Sequence, residues 1–133
     1  MTLPSLYAKP MDARRTLAVA GALIALATAL GAFGAHALKS HLSADKLQVY
    51  ETAVRYHFLH SLGLLAIGVL LRSMDGELLR WSAALVLTGV VLFSGSLYLL
   101  TFGAPRLLGV ITPLGGLALI AGWILFAVAV LRQ

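Results

Sequence analysis

The sequence predicts an all-α membrane protein, folded as an antiparallel four-helix transmembrane bundle with an amphipathic helix before the second span. Three observations indicate this class. Apolar residue types make up 60% of the 133 residues, charged types make up only 11%, and the mean hydropathy is +0.94. A soluble domain carries about 25% charged residues, so this chain lacks the residues for a water-facing surface. Because lipid offers the backbone no hydrogen bonds, long apolar segments are expected to be helices.

Four apolar stretches form the predicted spans, at residues 16–38, 56–71, 81–102 and 107–131. A helix needs about 20 residues to cross the hydrocarbon core. Only the second stretch, with 16 residues, is shorter, and flanking residues or a thinner bilayer can compensate for its length. The short connections 73–77 and 103–106 force neighbouring spans to be antiparallel. We therefore expect one transmembrane domain at residues 16–131, after a cytoplasmic N-terminal tail at residues 1–15.

The basic residues predict the orientation, because Lys and Arg collect on the cytoplasmic side of a membrane. With the N-terminus inside, the cytoplasmic flanks hold six of them: Lys9, Arg14, Arg15, Arg72, Arg80 and Arg132. The opposite flanks hold four: Lys39, Lys46, Arg55 and Arg106. We expect a multi-pass protein with both termini in the cytoplasm. The net charge of +5 forms no basic stripe, so it indicates a lipid bilayer as partner and excludes nucleic acid.

The segment from Ser43 to Arg55 is predicted to be an amphipathic helix at the outer surface, continuing into the second span. Ser43 is a favourable N-cap, and Asp45 lies in the first turn, where the helix dipole favours negative charge. An apolar stripe at helical spacing follows, formed by Leu47, Tyr50 and Val54.

Small residues predict where the helices approach one another, because dispersion contacts must drive helix association in lipid. The positions expected to pack helices are Gly21, Gly31, Gly34 and Gly95. A helix break is expected at Pro113, Gly115 and Gly116. Either Pro113 kinks the fourth span, or Thr112 caps a helix that starts at Pro113 and leaves residues 107–111 irregular.

Seven polar side chains from four spans are expected at one depth, in the outer half of the bundle: His36, His57, His60, Ser94, Ser96, Tyr98 and Thr112. Polar groups inside a membrane usually face the bundle interior, so this cluster is the candidate site. The alternative is structural, with His and Tyr as interfacial anchors and hydroxyls bonded to their own helices. No carboxylate and no haem or zinc spacing accompanies the histidines, so no metal site and no cofactor is predicted.

Four motifs resemble a known family: Gly31-Ala-Phe-Gly-Ala-His36, Tyr56-His-x-x-His60, Leu92-Phe-Ser-Gly-Ser-Leu-Tyr98 and Thr112-Pro-x-Gly-Gly116. The sequence is similar to the YgdD-type small inner-membrane proteins, a family of unknown function with bacterial and eukaryotic members. The resemblance covers residues 15–131 and implies a four-span protein of the bacterial inner membrane. It implies no activity, but its motifs fall on the polar cluster.

Three functional hypotheses remain open. The first is a non-enzymatic structural or accessory subunit that forms a homo-oligomer or joins a larger membrane complex; it is favoured because no in-span Asp or Glu, nucleophile elbow or phosphate loop indicates an enzyme. The second is a small ligand-binding or transport unit that uses the polar cluster. The third is a redox subunit that carries haem or a metal on the histidines.

Overall fold

The computed structural model describes residues 11–133, so most of the predicted tail at residues 1–15 lies outside the described part. Four α-helices follow one another: α1 Ala13–Phe33, α2 Ala44–Leu70, α3 Glu77–Thr101 and α4 Ile111–Leu131. A π-helical turn, Gly34–Leu38, continues α1, and a 3-10 turn, Arg106–Val110, precedes α4. The apolar helical segments are Ala13–Leu38, Ala44–Leu70, Glu77–Thr101 and Arg106–Leu131, all long enough to cross a membrane. The predicted fold class is confirmed.

Side-chain caps fix where the first two helices begin. The Asp12 carboxylate accepts a hydrogen bond from the Arg15 amide at 2.8 Å, and the Ser43 hydroxyl accepts one from the Lys46 amide at 3.3 Å. Because α2 runs without interruption from its Ser43 cap to Leu70, the amphipathic segment and the second span form one helix of 27 residues. A helix of that length can cross the membrane even though the second apolar stretch within it is short.

The extensive helix contacts join helices that are consecutive in the chain, α1 with α2, α2 with α3, and α3 with α4. Each pair is antiparallel, because residues near the start of one helix contact residues near the end of the other: Leu17 with Gly68, Ala53 with Ser94, and Thr112 with Ser96. The shared core is built from small and branched apolar side chains, among them Ala20, Leu64, Ile67, Leu79, Ala83, Val86, Val90 and Leu119. Large apolar side chains also point outward, including Leu26, Val69, Val91, Leu117, Ile120 and Ile124, as a bilayer environment allows.

Glycines mark the closest approach of α3 and α4. A Cβ atom on Gly115 would lie 2.3 Å from the Phe93 amide nitrogen, and one on Gly122 would lie 3.1 Å from that of Val86. These are backbone atoms that a side chain cannot push aside, so the two helices touch because these positions carry no side chain.

The predicted packing glycines divide into two groups. Gly34 faces the Tyr50 ring, with a Cβ only 2.5 Å from its Cε1 atom, and Gly31 makes an ordinary contact of 3.4 Å with Val54. Gly21 and Gly95 have nothing within 4 Å of a Cβ among the described residues. For these two the predicted close contact within the chain is wrong, because the packing register turns them away from the neighbouring helices.

The predicted break in the fourth span is displaced toward the N-terminus. α4 begins at Ile111 rather than at Pro113, and the change from 3-10 to α-helix occurs at Val110. Pro113 therefore lies in the first turn of α4, where backbone amides have no partner within the helix and proline is tolerated. The predicted cap at Thr112 is wrong, since its hydroxyl pairs with Ser96 instead. Gly115 and Gly116 continue the helix without a break.

Candidate functional site

Most of the predicted polar cluster lies in the half of the bundle that carries the connections 39–43 and 102–110, which we call the polar end. Each of its buried side chains forms a hydrogen bond, and most of these bonds join one helix to another. The site is therefore described one pair at a time.

His57 of α2 lies in the interior, only 3% exposed. Its Nδ1 atom and the Tyr98 hydroxyl of α3 are 2.9 Å apart and share a hydrogen bond. The Nε2 atom is buried without a hydrogen bond of normal geometry, although the Leu23 backbone of α1 lies near enough to interact with the ring. One histidine thus connects α2 to α3 and faces α1.

Tyr50 completes this interior cluster from the first half of α2. Its ring is 1% exposed and packs edge-on against Tyr98, with ring centroids 5.6 Å apart. Its hydroxyl donates a hydrogen bond to the Leu30 carbonyl of α1. The acceptor lies one turn before the π-helical turn, and Gly34 of that turn provides the space for the ring. The tyrosine therefore fastens α1 to α2 at the polar end.

His60 points to a different neighbour. The indole nitrogen of Trp123 on α4 donates a hydrogen bond to its Nδ1 atom at 3.0 Å. Because an indole N–H can only donate, Nδ1 must be the acceptor, which assigns a neutral ring with its proton on Nε2. Residues three apart in a helix differ in direction by about 60°, which is enough to direct His57 toward α3 and His60 toward α4.

The hydroxyl groups of the cluster also connect helices. Ser94 of α3 donates to the Ala53 carbonyl of α2 at 2.8 Å, and the Ser96 and Thr112 hydroxyls, from α3 and α4, are 2.6 Å apart. Ser82 repeats the arrangement near the other end of the bundle, where it donates to the Gly122 carbonyl at 2.8 Å. These bonds hold α3 between α2 and α4.

His36 does not join the cluster. It lies exposed in the π-helical turn, and no group of three His, Cys, Asp or Glu side chains within residues 11–133 is placed to hold a metal ion. His41 is exposed in the following connection, where its Nδ1 atom lies 2.8 Å from the Ala37 carbonyl. The structure therefore joins six of the seven predicted residues to neighbouring helices in separate pairs, and it leaves the seventh at the surface.

Two residues of the site are additional to the predicted set. Tyr50 was placed only on an apolar stripe, yet a buried tyrosine hydroxyl needs a partner, and this was the available signal. The indole N–H of Trp123 needs a partner for the same reason, but nothing local to the fourth span indicates that this partner is a histidine from the second.

Two cavities flank the paired histidines. A groove of about 590 Å³ runs between α2 and α4 beside the His60–Trp123 pair, over a floor that includes Phe93. A smaller cavity of about 170 Å³ lies between α1 and α3 beside His57. Both are lined mainly by apolar side chains. This region therefore combines hydrogen bonds between helices with neighbouring apolar cavities.

Known proteins resemble this chain over most of its length. The UPF0382 membrane protein YwdK of Bacillus subtilis is 44% identical over 116 residues, which cover 86% of this chain and 94% of that protein. A UPF0382 membrane protein of Staphylococcus saprophyticus is 43% identical over 115 residues, 86% of this chain and 95% of its own. The UPF0382 inner membrane protein YgdD of Escherichia coli K12 is 38% identical over 104 residues, 78% and 79% of the two chains. No solved structure matches.

The family model described as "Protein of unknown function (DUF423)" matches residues 30–116. This range holds the π-helical turn, all of α2 and α3, and the start of α4, so it includes every predicted residue of the polar cluster. Together with the relatives and the four membrane-spanning helices, the match confirms the resemblance inferred from the motifs. The chain is a membrane protein that belongs to the DUF423 family and is similar to the UPF0382 membrane proteins.

Proposed function

We propose that this protein is a non-enzymatic membrane subunit whose activity is association, and that it pairs with a second copy of itself through the outward face of α1. The non-enzymatic role is supported by the pairing of polar groups within the chain, where His57 bonds to Tyr98 and His60 bonds to Trp123; the association is supported by the outward face of α1. Polar contacts of this kind hold membrane helices together. These pairs give the polar groups of the candidate site a structural role.

The outward face of α1 supports association as the role of this subunit. Five alanines follow a spacing of four and three residues along one side of the helix, and all are exposed: Ala18, Ala22, Ala25, Ala29 and Ala32. Gly21 lies beside this stripe, with nothing within 4 Å of a Cβ among the described residues. A stripe of small residues lets a second helix approach closely enough for strong dispersion contacts.

The unequal burial of the spans indicates which helix is available to a partner. In the most apolar part of Ala13–Leu38, 17% of the residues are buried within the chain, compared with 22% for Arg106–Leu131 and 33% for α2 and α3, so the first span is the least covered. A second copy suits this face because the same stripe on both chains gives a self-complementary contact of small residues, as two-fold interfaces require.

The experiment measures the oligomeric state of the full chain in mild detergent by analytical ultracentrifugation. We expect a dimer, and we expect Ala25→Leu to weaken it at least tenfold, because the larger side chain lies at the centre of the stripe and keeps the helices apart. The matched control is Ala121→Leu, an equal change at an exposed position of α4, which we expect to leave the dimer intact.

A wild-type protein that is monomeric at every protein-to-detergent ratio would contradict self-association. Equal weakening by Ala25→Leu and Ala121→Leu would also contradict it, because the contact would then not lie on α1. A pull-down from native membranes that yields one stoichiometric foreign protein, lost with Ala25→Leu, would replace the second copy by that protein and make the chain an accessory subunit.

A further inference from the structure

A second polar feature lies at the opposite end of the bundle, where α1 begins and α2 ends. A pocket of about 380 Å³ is lined there by Ala13, Arg14, Leu17 and Arg72; we call it the arginine pocket. Arg14 is in the first turn of α1, and Arg72 follows the last turn of α2. Two arginine side chains therefore line one opening at the end of two membrane-spanning helices.

The close approach of α1 and α2 explains why these two arginines share a pocket. A Cβ atom on Gly68 would lie 3.2 Å from the Leu17 amide nitrogen and 2.9 Å from its Cδ2 atom, so the helices touch at this level. Arg14 lies three residues before Leu17, and Arg72 lies four residues after Gly68. The spacing on α1 returns to the face that touches α2, and the turn that follows α2 brings Arg72 to the same opening.

The charge of the arginine pocket is uncompensated within the described part of the chain. The ion pairs found there join Arg15 to Asp12 and Arg80 to Asp75, and neither involves Arg14 or Arg72. Two like charges that line one pocket repel each other, and an anion between them removes that repulsion. A guanidinium group is also suited to phosphate, because its planar set of donors matches two phosphate oxygens at once.

We propose that the arginine pocket binds the phosphate headgroup of an anionic phospholipid, in addition to the association proposed above. The depth of the pocket favours a lipid over a free phosphate, because the opening lies at the end of two spans, where headgroups are located. Its lining below the arginines is apolar, formed by Ala13 and Leu17, and this surface suits the glycerol and upper acyl region of the same molecule.

The test uses the full chain in a neutral detergent, incubated with equal amounts of phosphatidylglycerol and phosphatidylcholine that carry the same acyl chains. Native mass spectrometry then counts the lipids that each protein retains. We expect the wild type to retain phosphatidylglycerol at least about fivefold more than phosphatidylcholine, which is the factor that one arginine near a charged headgroup contributes. The double variant Arg14→Gln and Arg72→Gln should lose this preference.

The matched control is the double variant Arg15→Gln and Arg132→Gln, which removes the same charge from the same end of the bundle, at exposed positions outside the pocket. It should keep the preference. Equal loss in both double variants, or a wild type without a preference, would overturn the proposal. Displacement of bound phosphatidylglycerol by millimolar glycerol phosphate would also overturn it, because the pocket would then belong to a soluble phosphate.

Discussion

The buried polar residues of this protein stabilise the fold chiefly through hydrogen bonds to groups on other helices. His57, His60, Ser94 and Ser96 each meet a group on another helix, and in lipid the alternative to such a partner is an unsatisfied polar group in hydrocarbon. The measured contribution of one such bond in a membrane protein is modest, about 0.6 kcal/mol on average with a maximum near 1.7. The effect of each pair should therefore be measurable but not decisive.

The His57–Tyr98 pair gives the first prediction. Tyr98→Phe removes the hydroxyl and leaves Nδ1 of His57 buried without a partner, so we expect it to lower the free energy of unfolding by about 1 kcal/mol. Unfolding of the purified protein by sodium dodecyl sulfate, followed by circular dichroism, measures the change.

Tyr56→Phe is the control for this measurement. Tyr56 is 40% exposed, and its hydroxyl makes no hydrogen bond within residues 11–133, so its loss should change stability by less than about 0.5 kcal/mol. If the two variants lose the same stability, the histidine pair does not contribute to the fold in the way described.

At the scale of secondary-structure elements, the contact between α3 and α4 depends on glycine. The backbones of the two helices meet at Gly115 and Gly122, and the Ser82 and Ser96 bonds lie along the same contact. The helix pair is therefore held by close backbone packing together with polar contacts at each end.

Gly115→Ala gives the second prediction. Its methyl group would overlap the Phe93 backbone and force the helices apart, so we expect a loss of about 2 kcal/mol or more in the free energy of unfolding. Gly95→Ala is the matched control on α3, since a Cβ there meets nothing within 4 Å among the described residues. Alanine should be neutral or stabilising at that position, by up to about 1 kcal/mol. A Gly115→Ala protein as stable as the Gly95→Ala protein would contradict the packing described here.

The elements that could be predicted from the sequence are those determined by local signals. The four spans follow from hydropathy, and the start of α2 follows from Ser43 and Asp45. The orientation of each glycine could not be predicted: Gly21 and Gly34 lie on the same span, yet only Gly34 meets a neighbouring helix. Which face of a helix is covered depends on packing register, and a uniformly apolar helix carries no pattern that reveals it.

The candidate site shows the same limit. Depth along the spans was predictable, because it follows from position in the sequence, and it placed His57, His60, Tyr98 and Thr112 in one half of the bundle. Partners were not predictable, because Trp123 meets His60 across 63 positions of the chain. The depth argument also included His36, whose exposure depends on which way the π-helical turn directs it.

For the whole molecule, the orientation across the membrane leads to the third prediction. The chain has no cysteine, so single cysteines report the side on which they lie. Ser40 and Ser73 are exposed at opposite ends of the bundle. If both termini are cytoplasmic, as the basic residues predict, an impermeant maleimide should label Ser40→Cys in intact cells and Ser73→Cys only after the membrane is opened.

The unsubstituted chain is the control for this labelling, since it offers no thiol to the reagent. The reverse result, with Ser73→Cys labelled in intact cells and Ser40→Cys protected, would place both termini outside. It would also move the arginine pocket to the outer leaflet.

The packing of each helix against the next one in the chain has a consequence for biogenesis. Helices that leave the ribosome in order can enter the bilayer in order, and each newly inserted helix finds its main partner already in place. No early helix must wait for a distant one, as it would in a bundle closed by its first and last members, and contacts between near neighbours in sequence also favour rapid folding. Among the hydrogen bonds of residues 11–133, the His60–Trp123 bond joins α2 to α4, which are not consecutive, so it forms only after the fourth helix has entered.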